Sequence, residues 1–317
     1  MHHQAGRKPF RSNSVLHLYQ NAVNGYLLFY TRLDCLVFFT LVNVLAVKYR
    51  IHLLGLCLMP DHLHSLLEAG SRRALDAFVR EYTSRFSRCQ NQWLGRKGPL
   101  FNENFGLALK VGFKAIRTAI AYLFNNPVEK CLVERAEDYR WNFLACAGGQ
   151  HPFSESLVLR RASRNLCRAV REVNAEKYNG RPLSYPLLDR LFRNLSLQEK
   201  EQLTDYIISL YSIIDHEAML SFYGSYETAL IAFHANTGSE YDIKEDRDVR
   251  SDVPYRAINR QLLRETGFSS VNEMLRLPEP CRQEIFVSFL RKNVAPLRLL
   301  EKYFRLPSHR TMERSKP

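Results

Sequence analysis

The fold class this sequence predicts is α+β: a ferredoxin-like antiparallel sheet with helices packed on one face, followed by a mostly α-helical C-terminal half. Strand-like and helix-like runs alternate as β-α-β-β-α-β-α through the first half. A Pro60-Asp61 turn joins two apolar runs in the manner of a hairpin. The second half instead repeats apolar residues at i, i+3 and i+4, the spacing of one helical face.

The elements follow in order. Val15 to Tyr19 and Tyr26 to Tyr30 read as strands around an Asn24-Gly25 turn. Leu33 to Lys48 reads as a helix, Ile51 to Met59 and His62 to Leu67 as the hairpin, and Ser71 to Gln90 as a helix with Ser71 at its N-cap. Gly95 to Asn104 is a loop, Phe105 to Val111 a strand, and Phe113 to Asn125 a helix that Pro127 ends. Beyond these, Ser156–Val173, Ser196–Ile214, Glu217–Asn236, Tyr255–Glu265, Ser270–Leu275 and Glu279–Lys292 carry helical spacing. The 317 residues suffice for two domains, and Ala147-Gly148-Gly149-Gln150-His151-Pro152 is a hinge by composition. That divides the chain into 1–148 and 149–317. No internal repeat is evident.

A hydrophobic content of 46% excludes a disordered or collagen-like chain, and a net charge of +13 points to a polyanion, nucleic acid before a membrane surface. The first 150 residues hold 19 Lys/Arg against 10 Asp/Glu, so most of the excess lies there. Seven cysteines without a C-x-x-C pair read as reduced thiols of a cytoplasmic protein. Residues 1–8 lack the apolar run of a signal peptide, and Leu33 to Val47 falls short of the roughly 20 apolar residues a bilayer span needs. A soluble, cytoplasmic protein is expected, with no membrane partner.

Leu58-Met59-Pro60-Asp61-His62-Leu63-His64-Ser65-Leu66-Leu67 carries the most chemistry. On a strand, His62 and His64 project to one side and Leu63 to the other, so two imidazoles can share a divalent cation. A chance pair on a surface strand is the competing reading. Tyr122 and Asn126 are four residues apart and share a helical face. They make a nucleophile and an amide ligand if aimed at the histidines, or a core tyrosine and a helix-ending asparagine if not.

Together with Gly98-Pro99-Leu100-Phe101, the run Tyr122-Leu-Phe-Asn-Asn-Pro-Val-Glu-Lys-Cys-Leu-Val133 and Glu137-Asp138-Tyr139-Arg140-Trp141, these motifs resemble the single-tyrosine HUH transposases. Within that superfamily they are most similar to REP-associated tyrosine transposases, over about residues 15–145. The resemblance implies His62, His64 and Asn126 as ligands of a Mg²⁺ or Mn²⁺ ion. It implies Tyr122 as the nucleophile that cuts and rejoins single-stranded or hairpin DNA through a 5′-phosphotyrosine. Imidazole ligands favour Mn²⁺, or a water-rich Mg²⁺ site, since Mg²⁺ prefers oxygen. The chain departs from the family pattern at Asp61, where Asn is usual, and at Ser65, where Leu is common. It departs again at Asn104-Phe105-Gly106, which lacks flanking basic residues, and at Glu129-Lys130-Cys131, which stands for R-A-G and removes a glycine.

Expected phosphate contacts are Arg72, Arg73, Arg85, Arg88, Lys110, Lys114 and Arg117, each also readable as a solvated charge. Arg160, Arg164 and Arg168 repeat at i, i+4, i+8 as a basic helix face. Trp93 and Phe101 read either as base-stacking platforms or as loop anchors. Residues 279–314 read as a helix-turn-helix or a plain bundle, and the protein itself as a monomer or homodimer. Two other functions fit the same motifs: a DNA-binding regulator without catalysis, and another HUH nicking nuclease.

Overall fold

The computed structural model describes residues 9–235 and 255–306. Its first half is built on strand β1 (Leu16–Asn21), helix α1 (Arg32–Tyr49), the hairpin β2 (Ile51–Leu58) and β3 (His62–Ala69), helix α2 (Arg72–Leu94), strand β4 (Gly106–Leu109) and helix α3 (Phe113–Glu129). The sheet is antiparallel with order β2-β3-β1-β4, so the first strand lies inside and the last closes an edge. The α+β class and the ferredoxin-like antiparallel sheet hold, but helices pack on both of its faces, α1 and α2 on one and α3 on the other, not on one alone.

Strand alternation splits the interior in two. Leu16, Leu18, Leu63 and Leu67 face α1 and α2 in one apolar cluster. Cys57, Met59 and Leu66 face α3, which contributes Ala119, Ile120, Leu123 and Phe124 to a second. Helix α1 is buried nearly all round, and its buried polar residues Asp34, Thr40 and Asn43 are hydrogen-bonded. Asp34 closes a capping box with Thr31 and also accepts from the Tyr185 hydroxyl at 2.7 Å, while Asn43 takes the Ile213 N–H at 2.8 Å. Ser71 caps α2 as expected, accepting from the Ala74 N–H.

Three expectations change. Tyr26–Tyr30 is not a strand: Asn24 and Gly25 turn left-handed, and the Leu28 and Phe29 N–H groups then both donate to the Pro60 carbonyl. That run clamps the hairpin turn instead of pairing with it. Helix α3 runs through Pro127 and ends in a Schellman motif, with Cys131 N–H on Val128 O and Leu132 N–H on Pro127 O. Cys131 stands there at φ 53, so the left-handed turn persists without the glycine.

Helices α4 (Arg164–Tyr178), α5 (Tyr185–Arg193) and α6 (Leu197–Tyr211) extend the first cluster. Ser163 caps α4, so the expected helix from Ser156 starts later and Arg160 lies in a turn before it, not on a basic face with Arg164 and Arg168. Helices α7 (His216–Leu220) and α8 (Tyr226–Ala235) cover α3. The Asn125 side chain donates to Phe233 O at 2.9 Å and the Tyr223 hydroxyl to Arg117 O at 2.7 Å. Helices α9 (Tyr255–Thr266), α10 (Val271–Arg276), α11 (Glu279–Arg291) and α12 (Leu297–Phe304) enclose a third cluster with Leu27 and Leu94. The first two helices of the expected helix-turn-helix are therefore present; its third segment lies outside the described residues.

Candidate metal and nucleophile site

Register places the histidines at the end of β3 beside β1, with Tyr19 opposite His64 and Asn21 opposite His62. The two imidazoles project from the α3 side of the sheet, with ring centroids 4.9 Å apart. Residues Tyr122 and Asn126 come down onto them from α3. The Tyr122 ring meets His64 edge-on at 5.4 Å, and Asn126 Nδ2 lies 3.3 Å from His64 Nε2. All four site residues expected from the sequence are thus brought together.

Hydrogen bonds sort the ring nitrogens. Asp61 Oδ1 sits 2.6 Å from His62 Nδ1, which leaves His62 Nε2 buried with no hydrogen-bond partner among the described residues. Asn126 Oδ1 is likewise buried and unpartnered. His64 Nε2 takes the Asn126 amide, and His64 Nδ1 is 3.0 Å from His17 Nε2. Each histidine is therefore anchored through Nδ1 and turns Nε2 inward, the arrangement in which imidazoles bind metals, but only His62 Nε2 is unpartnered, because His64 Nε2 already takes the Asn126 amide. Burial, then the neighbouring charges of His62, His17 and Lys130, push the His64 pKa well below its usual value. Burial alone would raise Asp61, but its contacts with His62 and Lys302 hold the carboxyl well below the usual range.

Two imidazole nitrogens and an amide oxygen suit a labile divalent cation, and the unpartnered Nε2 and Oδ1 are the donors such an ion would use. No group of three or more His, Cys, Asp or Glu that could hold a metal occurs among the described residues. The Tyr122 hydroxyl is buried, and its residue is only 3% exposed.

Sequence reasoning missed three residues here: His17, Tyr19 and Lys302. They reach the site through strand register or from 241 positions away, which no local pattern records. Tyr139, from the fourth motif, donates to Leu58 O at 2.8 Å and so braces β2.

The basic residues divide. Arg72 is bound to Asp76, Arg85 to Glu81 and Arg168 to Glu172, while Arg117 stacks on Tyr223 at 4.6 Å. Arg73, Lys114, Arg160 and Arg164 are exposed, and Lys110 is half-buried. Arg88 lines a groove of about 670 Å³ between α2 and the 95–103 loop, together with Arg80, Arg96 and Lys97. Phe101 is buried in the first cluster and Trp93 stacks on Tyr185 at 5.8 Å, so both anchor the loop.

Residues 34–126 match the family described as IS200-like transposases. That span takes in both histidines, Tyr122 and Asn126. Among solved structures the chain is similar to one described as the REP associates tyrosine transposase bound to a REP hairpin. The identity is 15% and the TM-score 0.39, over 45% of this chain and 83% of the other. No curated protein matches. No helix among the described residues is long and apolar enough to cross a membrane.

Proposed function

We propose that the chain, whose residues 34–126 match the IS200-like transposase family, is a REP-associated tyrosine transposase that cuts and rejoins single-stranded DNA at hairpins. One observation carries this reading: a phenol edge-on to an imidazole pair beside which His62 Nε2 and Asn126 Oδ1 are buried without hydrogen-bond partners among the described residues. His62 Nε2, His64 Nε2 and Asn126 Oδ1 would hold Mn²⁺ or Mg²⁺. Such an ion supplies polarisation of the scissile phosphate and offsets the charge that develops there.

The protein's own groups do the rest. Tyr122 Oη bonds to phosphorus and gives up its proton as the P–O3′ bond breaks, and the departing oxygen becomes a 3′-OH. The DNA 5′ end stays on the phenol. Phenol ionises near pH 10, so it is a better leaving group than an alkoxide, and a 3′-OH can attack in reverse without an energy donor. Because the hydroxyl is buried, the reaction begins with an opening of the cover over Tyr122. Arg80, Arg88, Arg96 and Lys97 line a track for the backbone phosphates. At its rim, Asn102 N–H donates to Asn21 O, and Asn21 lies opposite His62 on the neighbouring strand.

Incubation with a 3′-labelled hairpin oligonucleotide, followed by denaturing electrophoresis, tests this. Wild type should retain label in a Mn²⁺-dependent way and Tyr122→Phe should retain none. The burial of the Tyr122 hydroxyl favours one competing reading, a DNA-binding regulator without catalysis. Tight hairpin binding with no adduct under any divalent ion would establish it.

A further inference from the structure

We infer that Lys302, on the last described helix, is a positioning residue for His62: it holds the Asp61 carboxylate in the one orientation that keeps His62 Nε2 available to a ligand. The inference rests on the proposed metal role of His62.

A chain of two contacts carries it. Lys302 Nζ is 2.8 Å from Asp61 Oδ2, and Asp61 Oδ1 is 2.6 Å from His62 Nδ1. The carboxylate is thus held at both oxygens, by a cation on one side and a ring N–H on the other. With its Nδ1–H spoken for, the neutral imidazole keeps its lone pair on Nε2. Helix α12 does not depend on that contact for its place. The Tyr30 hydroxyl donates to Tyr303 O at 2.9 Å, and Arg305 reaches Leu27 O at 2.7 Å and Gln90 Oε1 at 2.8 Å. These anchors seat α12 on the same 23–31 segment whose N–H groups clamp Pro60. The Lys302 stem runs over Gly25, where an added Cβ would come within 3.4 Å of it. Lys302 therefore meets Asp61 preorganised, and the C-terminal helices reach the centre of the first half.

The arrangement gives the Asp61 carboxylate a counter-charge in the buried surroundings of His62. An amide beside His62 needs no counter-charge. A carboxylate released from Lys302 could rotate away, or turn an oxygen toward the ion itself.

The test is a double-mutant cycle on the full chain, read by Mn²⁺ binding in calorimetry and by ¹⁵N-histidine NMR of the metal-free protein. Lys302→Met should weaken Mn²⁺ binding about 10-fold, the low end for removal of an outer partner of a ligand. It should also abolish the protected His62 Nδ1–H resonance. In the Asp61→Asn background the same Lys302→Met change should alter neither. Lys302→Arg should restore binding in the Asp61 protein. A purely structural role for the stem would cost the same in both backgrounds and would overturn the inference. So would tighter Mn²⁺ binding in Lys302→Met, which is what simple removal of a nearby positive charge produces. Wild type that binds no Mn²⁺, yet loses the Nδ1–H signal in Lys302→Met, would end the metal reading and leave the positioning role standing.

Discussion

Gly106 gives the sharpest test of how the site is packed. It lies opposite Tyr19 across β1 and β4, and its backbone is not in the left-handed region, so conformation does not demand a glycine. Space does. A Cβ built there would fall 1.8 Å from the Tyr19 ring, whereas ordinary contact begins at 3.4 Å. Gly106→Ala must therefore displace the ring by about 1.6 Å, an overpacking that costs roughly 1–3 kcal/mol. The direction of the push matters more than its cost. Tyr19 lies 6.1 Å from His17 and 6.4 Å from His64, centroid to centroid, on the same sheet face. Gly106→Ala should thus lower urea stability by that amount and reduce adduct formation together. Tyr19→Ala, which empties the space, should absorb the new methyl, so the double variant should recover at least about 1 kcal/mol relative to additivity. Equal losses from Gly106→Ala in wild type and in the Tyr19→Ala background would refute the account.

Three further outcomes are expected. Cys131→Gly should stabilise the protein by about 0.5–1 kcal/mol in urea titration, because it relieves a left-handed Cβ at the Schellman turn, less the entropy a glycine adds to the unfolded chain. His52 bridges Glu68 at 3.1 Å and Asp215 at 2.9 Å; burial lowers its pKa, but the two carboxylates outweigh that and raise it. Its stabilising share is complete below the unfolded value near 6.5 and fades as pH climbs through the folded one. The stability gap between wild type and His52→Gln, at most about 1 kcal/mol for so exposed a pair, should therefore close between about pH 5.5 and pH 9. A gap that widens with pH would contradict this. Replacing Arg80, Arg88 and Lys97 together by Gln should flatten the salt dependence of single-strand binding by about 2 in log–log slope, at roughly 0.7 per lost phosphate contact. An unchanged slope would take DNA out of the α2 groove.

The sheet and the paired histidines were readable because they depend on short periods. Alternation along His62–Leu67 gives both faces, and the Pro60-Asp61 turn gives the hairpin. Tyr122 and Asn126 share a helix face by the same local logic. What escaped reading is set by distant partners. Tyr26–Tyr30 has strand-like composition, yet its N–H groups find the Pro60 carbonyl instead of a ladder. Pro127 looked like a stop, but with its ring buried in the interior the helix proceeds to a turn that Cys131 completes. Arg160 shares a spacing with Arg164 and Arg168, but the Ser163 cap cuts that spacing before it becomes a helix face.

The ties between α3 and the helices laid over it reach beyond stability. The Asn125 and Tyr223 bonds, and the Phe124 ring 5.7 Å from Phe233, fasten the helix bearing the phenol to later parts of its own chain. Lending that helix to a second copy would tear open an interior, not merely unhook an arm. In the proposed reaction, a severed strand would accordingly stay in the custody of the molecule that cut it, and rejoining would have to bring the free end back to that same address.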